Sequence, residues 1–454
     1  MLGAGEILLK YVMPIGVVII ALYYVIEFAK SFDEFNKLMR ALGKKIGKAV
    51  HWYSTLRRRR YDKVLASVDF LKYQREALYL IYDSELKKVE ENENKLGYSV
   101  KKVNVFDHDY EAVYINFKNI PYPFNDVIDK ENGCDYDVDS KPKLSCKKRK
   151  YKKLIKRTIR KPKKIGYMLD ELDPKNAKFK VKCGTYEQNL YSSHYLEYEL
   201  YLSYKKKGRE ILNSNLDQGE KRKRLLELLP ERKRIVEEME REGKSVFTSG
   251  LGRYSLLGVQ ALVMIKNSND NYDVLRIRRD SNVAAKPGFI QFIPSGGFET
   301  FENKDDFDTK YANLSLNKAL FRELMEECFG IDEEPNNYHI SSEHIYAYPE
   351  VMQLVNLIKD KKATFSLLGS TMSLVSLRHE LSFIIKIEDE NFSKHLSCNY
   401  ESNGVISSID VRRLSKKNFW MKYSYSDEDL AKLNCTSAAL LNLADEDGYI
   451  KLEK

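Results

Sequence analysis

Between Phe292 and Ile331 the chain sets a Gly296-Gly297 pair ahead of a helical run carrying Arg322, Glu323, Glu326 and Glu327. Positions i, i+3 and i+4 share one face of a helix, so the three glutamates stand together. Leu316, Ala319, Leu320, Leu324 and Cys328 form an apolar stripe on the other side. Asn313 or Ser315 can cap the start. Few folds tolerate this stretch. The stripe needs a core, and three converging carboxylates repel one another unless a cation sits among them. Hard oxygen ligands suit Mg²⁺ or Mn²⁺, which usually also bind substrate phosphates. Taken by itself, the pattern also reads as a solvated acidic helix face.

The surroundings narrow that choice. The residues resemble the Nudix box, the signature of the Nudix hydrolases: Gly, five residues, Glu, seven residues, then Arg-Glu-apolar-any-Glu-Glu-any-Gly-apolar. The second half here is RELMEECFGI. LLGVQALVMI is similar to the first core strand of that family, YDVLRIRRD to the second, and PGFIQFIPSGGFE to the strand and turn entering the box. The resemblance spans about Gly250 to Leu414. Gly297 and Arg322 lie about eleven residues further apart than the box has them, Glu302 sits one place early, and one extra residue precedes Gly330. None of these departures moves the three glutamates relative to Arg322.

The resemblance implies an α/β fold, a Nudix α/β/α sandwich with a mixed sheet, in residues 246–454. It implies catalytic roles for Arg322, Glu323, Glu326 and Glu327, with the three glutamates holding Mg²⁺ or Mn²⁺. Gly296, Gly297, Glu299 and Glu302 are the expected nucleotide- and phosphate-binding residues. A further catalytic carboxylate is expected beyond the box, with Glu380 the candidate and Glu343 behind it. Arg322 is expected to fix a carboxylate through a bidentate pair, and the glycine pair to allow the turn that brings the loop under the helix. The expected reaction is metal-assisted attack of water on a phosphoanhydride of a nucleoside diphosphate linked to another moiety.

The rest of the chain, 454 residues in all, leaves room for one or two more domains. Net charge is +10, divided into +16 over the first 250 residues and −6 from Leu251 onward. A basic half of this kind faces something anionic. Tyr11 to Ile26 is sixteen residues without a charge. Lys10 and Glu27 can snorkel, and the run then approaches the ~20 residues of a spanning helix. Residues 1–9 carry Glu6 and no basic residue, and no small-residue cleavage site follows the run, so a signal peptide fits poorly. Residues 1–30 are therefore expected to be a single transmembrane anchor. The basic residues of 31–60 put everything after it in the cytoplasm by the positive-inside rule.

Residues 61–220 read as an α+β module: a helix over Asp62–Asn94, short strands over Tyr98–Phe124, and a strand followed by a Tyr-rich helix over Lys178–Lys207. Residues 221–245 read as a charged linker or a pair of short helices around Pro230. Lys141 to Lys164 holds fourteen Lys or Arg in 24 residues and no acid, which reads as a basic loop. Tyr151 is its only aromatic residue, so a single-strand nucleic-acid platform is disfavoured and anionic lipid is the better partner. His194 reads as a packed histidine. The six cysteines show no C-x-x-C pair and read as reduced thiols. Ile340–Glu350 and LSFIIKIED read as further strands, and TSAALLNLADEDG as a closing helix on the sheet.

A membrane helix joined to a divergent Nudix-like domain is similar to the modules that accompany bacterial nucleotide-second-messenger defence systems. There the domain would be a non-hydrolytic nucleotide sensor, the membrane helix its antiviral effector, and the chain could assemble with copies of itself. The architecture favours this alternative; the intact RELMEE run favours hydrolysis.

Overall fold

The computed structural model describes residues 21–24, 27, 55–129, 145–155, 165–268, 271–279, 286, 288–301, 313–330, 344–395, 405–409 and 430–453. Residues 1–61 and 62–454 are two compact units. In the first, residues 21–24 are helical and Leu22, Tyr23 and Tyr24 are exposed. The rest of the uncharged run lies outside the described residues. Among the described residues no helix is long and apolar enough to cross a membrane.

The second unit contains β1 (Lys101–Val105), β2 (His108–Pro121), β3 (Ile128–Asp129), β4 (Ile165–Asp173), β5 (Lys178–Thr185), β6 (Gly258–Ser268), β7 (Asn271–Arg278), β8 (Ile290–Phe292), β9 (Ser295–Gly297), β10 (Ala363–Ser373), β11 (Arg378–Ile387) and β12 (Val405–Ile409). The large sheet runs β1-β2-β10-β11-β6-β7-β12, with β8 on β7 and β9 on β6. It is mixed: β11 is parallel to β6, while β10 is antiparallel to both β11 and β2. The central strand β6 reads GVQALVMI, the near-continuous apolar run of a strand covered on both faces.

Its longer helices are α1 (Val68–Glu91), α2 (Cys146–Ile155), α3 (Tyr195–Tyr204), α4 (Gln218–Leu228), α5 (Pro230–Glu242), α6 (Leu316–Cys328), α7 (Pro349–Lys359) and α8 (Cys435–Glu446). Leu262 and Met264 of β6 and Ile384 of β11 pack with Ala438, Leu441 and Leu443 of α8. On the alternate positions, Phe365 and Phe383 meet each other, and Phe365 meets Phe321 of α6. Helices thus cover both faces of the sheet, and the expectation of an α/β fold with a mixed sheet holds at that level.

The segments read as an α+β module and as a box-bearing domain share this one sheet, because β2 pairs directly with β10. A buried ion pair adds to the join, Lys286 Nζ to Glu111 Oε1 at 2.9 Å. Arg232, 0% exposed, donates to the carbonyls of Leu374 and Val375 and to the Tyr82 hydroxyl, tying α5 to the turn between β10 and β11. Residues 221–245 contain two packed helices, most of α4 and all of α5, with Pro230 at the first turn of α5.

Three expectations need correction. Between Cys146 and Ile155 the basic stretch is helix α2, not loop. Its Tyr151 packs on Tyr195 and Tyr198, and Lys148 and Lys152 pair with Glu231 and Glu187. Within Ile340–Glu350, residues 345–347 form a 3-10 turn and Pro349 opens α7. Cys146, Cys328 and Cys435 are free thiols, but Cys183 is disulfide-bonded.

Candidate active site

Helix α6 starts where Ser315 accepts a hydrogen bond from the Lys318 amide at 3.4 Å. Asn313, the other candidate cap, does different work. Its Oδ1 accepts from the Phe301 amide at 3.0 Å, so the two described residues that flank the insertion are joined. Glu302 and the rest of the insertion lie outside the described residues, as does Glu343. Leu316, Ala319, Leu320, Leu324 and Cys328 are all at most 2% exposed, which confirms the stripe.

Strand β9 lies on β6, with Gly297 opposite Gly258 and Gly296 opposite Val259. Neither Gly296 nor Gly297 has a positive φ. What Gly296 supplies is space, and not the conformational freedom expected of a turn. A Cβ there would stand 1.9 Å from Glu323 Oε2, so the carboxylate fills the room that the missing side chain leaves. The nearest atoms to a Cβ on Gly297 would be side-chain atoms of Leu256 and Glu299, at 3.2–3.3 Å.

Arg322 is 2% exposed and holds loop and helix together. Its Nη1 donates to the Glu299 carbonyl at 3.0 Å, and its Nη2 to the Gly297 carbonyl at 2.8 Å and to Glu323 Oε1 at 2.6 Å. Nε lies 3.7 Å from Glu326 Oε1. The expected bidentate pair is therefore a three-way clamp, with two backbone carbonyls and one carboxylate. Burial alone would lower the Arg322 pKa; Glu323 and Glu326 outweigh it and raise it. Glu299 contributes its carbonyl to this clamp.

The third glutamate is treated differently. Glu327 Oε2 accepts from the Ser295 amide at 2.6 Å. Its carboxyl is pushed up to about 8, first by burial and then by Glu323, with Glu326 adding to it; Ser295 and Arg279 pull the other way. A carboxyl in this position holds a proton at neutral pH, which lowers the repulsion a cation would otherwise relieve.

Glu380 lies across the sheet from the box. It pairs with Gly258, which pairs with Gly297, so the three residues form one row over β11, β6 and β9. A Cβ on Gly258 would stand 2.8 Å from Glu380 Cγ. The structure thus puts Glu380 on the row that ends at the glycine pair.

No family model matches the chain, and no curated protein matches it. The geometry has to carry the functional reading.

Among the described residues, no group of three or more His, Cys, Asp and Glu side chains is arranged to hold a metal ion as it stands. Glu323 and Glu327 each accept from a protein donor, Arg322 and the Ser295 amide respectively. The donor chemistry still fits a hard divalent ion. Its ligands are carboxylate oxygens alone, while Arg322 and the proton on Glu327 already offset part of their charge.

Sequence reasoning passed over Arg279 and Arg378. Burial lowers the Arg279 pKa, while Glu327 and Glu380 raise it, and its Nη1 donates to Gln291 Oε1. Arg378 Nε donates to the Leu256 carbonyl at 3.0 Å, and its Nη1 is 3.4 Å from His194 Nε2. Each stands at the end of an apolar strand, where an arginine looks like an ordinary terminator.

Proposed function

We propose that the chain is a Nudix-like hydrolase acting with Mg²⁺ or Mn²⁺ on the phosphoanhydride of a nucleoside diphosphate derivative. The observation that supports it is the seating of Glu323 in the space left by Gly296, with Arg322 holding that carboxylate and the loop carbonyls at once. Arg-Glu within the helix is the part of the box that this packing requires, and Gly296 stands just before the glycine that opens it. Glu323, Glu326 and Glu327 would hold the ion. The chemistry such an ion supplies when bound is neutralisation of the diphosphate and activation of water. Arg322 positions Glu323, Ser295 positions Glu327, and Glu380 is the candidate to take a proton from the attacking water. Around them, the helices on both faces of the mixed sheet suit a Nudix sandwich enlarged by β1 and β2.

A second reading, a nucleotide sensor without turnover, is supported by the protein donors already bound to Glu323 and Glu327. The two separate in one experiment. Purified full-length protein is incubated with Mg²⁺ or Mn²⁺ and a panel of nucleoside diphosphate derivatives. The hydrolase reading predicts metal-dependent cleavage that Glu326→Gln or Glu327→Gln stops. Nucleotide binding that survives those substitutions, with no cleavage by any variant, overturns it in favour of the sensor.

A further inference from the structure

Beside Glu380 lies a cavity of about 80 Å³ that the box does not account for. On such a measure one water needs about 10–15 Å³, so the space suits a group of several heavy atoms and not a whole nucleotide. Its walls come from separate parts of the fold. They are His194 ahead of α3, Arg279 beyond β7, Arg378 at the start of β11, and Asn434 and Thr436 at the start of α8.

Three observations give the cavity its chemistry. First, α8 begins here, and its N-cap Asn434 makes no side-chain capping hydrogen bond. The first amides of a helix carry partial positive charge and favour an anion. Second, Thr436 is 2% exposed, and its Oγ1 has no hydrogen-bond partner among the described residues. A buried hydroxyl left this way is destabilising unless something binds it. Third, two guanidinium groups line the space. His194 senses them: its imidazole is pushed down to about 3, by burial and then by Arg378 and Arg279.

The remaining charges divide between other tasks. Lys286 also borders the cavity but is bonded to Glu111. Glu197 and Glu380 are the two carboxylates on the wall, and Glu380 sits on the side towards Gly258. Glu380 lines the cavity and shares a row with Gly258 and Gly297, so the cavity adjoins the glycine pair beside the carboxylate cluster.

We propose that this cavity binds a phosphate-sized oxyanion through Arg279, Arg378, the Thr436 hydroxyl and the first amides of α8, and that it receives the terminal phosphate of the substrate. Only the last clause rests on the hydrolase reading. The box alone would fix an anhydride at one end; this second anchor selects derivatives that carry a further phosphate.

The test titrates inorganic phosphate into the full chain in chelator, by calorimetry and phosphorus NMR. Saturable binding is expected, weakened about tenfold in Arg279→Met and less in Thr436→Val. Thr436→Val is nearly isosteric, and its melting transition reports whether the fold is kept. Absence of saturation in the wild type overturns the proposal. So does wild-type affinity in both folded variants, which leaves an adventitious ion only. Phosphate binding without metal-dependent turnover keeps the cavity and removes the hydrolase reading; turnover without phosphate binding does the reverse.

Discussion

The Phe301 amide donates to Asn313 Oδ1 at 3.0 Å, joining the two described residues on either side of the insertion. This bond explains how a box about eleven residues too long can keep its glycine pair beside its helix. The added segment leaves at Phe301 and returns at Asn313, while Arg322 reaches over the join to Gly297 and Glu299.

Replacing residues 302–312 with a short Gly-Ser linker is therefore expected to leave helix and clamp intact. Loop length changes closure entropy slowly, by about 0.6 kcal/mol per doubling. Asn313→Ala removes the acceptor of a buried amide and is expected to cost about 1–3 kcal/mol. Urea denaturation of both variants checks the contrast. A larger loss from the linker than from Asn313→Ala would mean that the insertion itself supports the site.

Gly296→Ala is expected to displace Glu323, because the new Cβ falls 1.9 Å from its carboxylate. Overpacking of this kind costs about 1–3 kcal/mol, and Gly297→Ala, with its looser contacts, should cost less. Combining Gly296→Ala with Glu323→Ala should recover much of the stability, giving a large coupling term in a double-mutant cycle. Additive effects would show that the glycine does not serve the carboxylate.

Glu327 makes stability depend on pH in an unusual direction. A carboxyl raised from 4.5 to about 8 binds its proton more tightly folded than unfolded. Its contribution is full below the unfolded value and is lost as pH climbs through that window. Thermal melts in chelator should show stability falling between pH 4.5 and about 8, with the slope flattened in Glu327→Gln. An equal slope in the variant would assign the effect elsewhere.

Much of this architecture was legible from residues. The apolar stripe and cap of α6, the near-continuous apolar run of β6 and the closing helix α8 each carry a strong local pattern. Strand β10 was not legible, because ATFSLLGSTMS mixes small polar residues into a buried strand. Its Thr371 hydroxyl answers Gln260 Nε2 at 3.0 Å, and Ser370 meets His379, contacts that only the folded sheet reveals. Likewise β1 and β2 read as strands, but nothing local says that β2 will pair with β10. The box glutamates could be found by spacing; Arg279 and Arg378 could not, since tertiary placement alone brings them to the site.

The uncharged run Tyr11–Ile26 lies almost wholly outside the described residues, so its role is tested directly. Full-length protein is expected in the membrane fraction after high-salt washing, and protein lacking residues 1–30 in the soluble fraction. Release of the full-length protein by salt would reject the anchor. Binding of the truncated protein to anionic but not neutral liposomes would credit the basic segments, less the two lysines of α2 that pair with Glu187 and Glu231.

Metal binding at α6 is the central claim, and Mn²⁺ titration by calorimetry measures it most directly. The account predicts saturable binding to wild-type protein, lost or much weakened in Glu326→Gln and in Glu323→Gln, with proton release near neutral pH as Glu327 gives up its proton. No saturable binding by correctly folded wild-type protein would contradict the account and leave Glu323, Glu326 and Glu327 as a structural cluster held by Arg322 and Ser295.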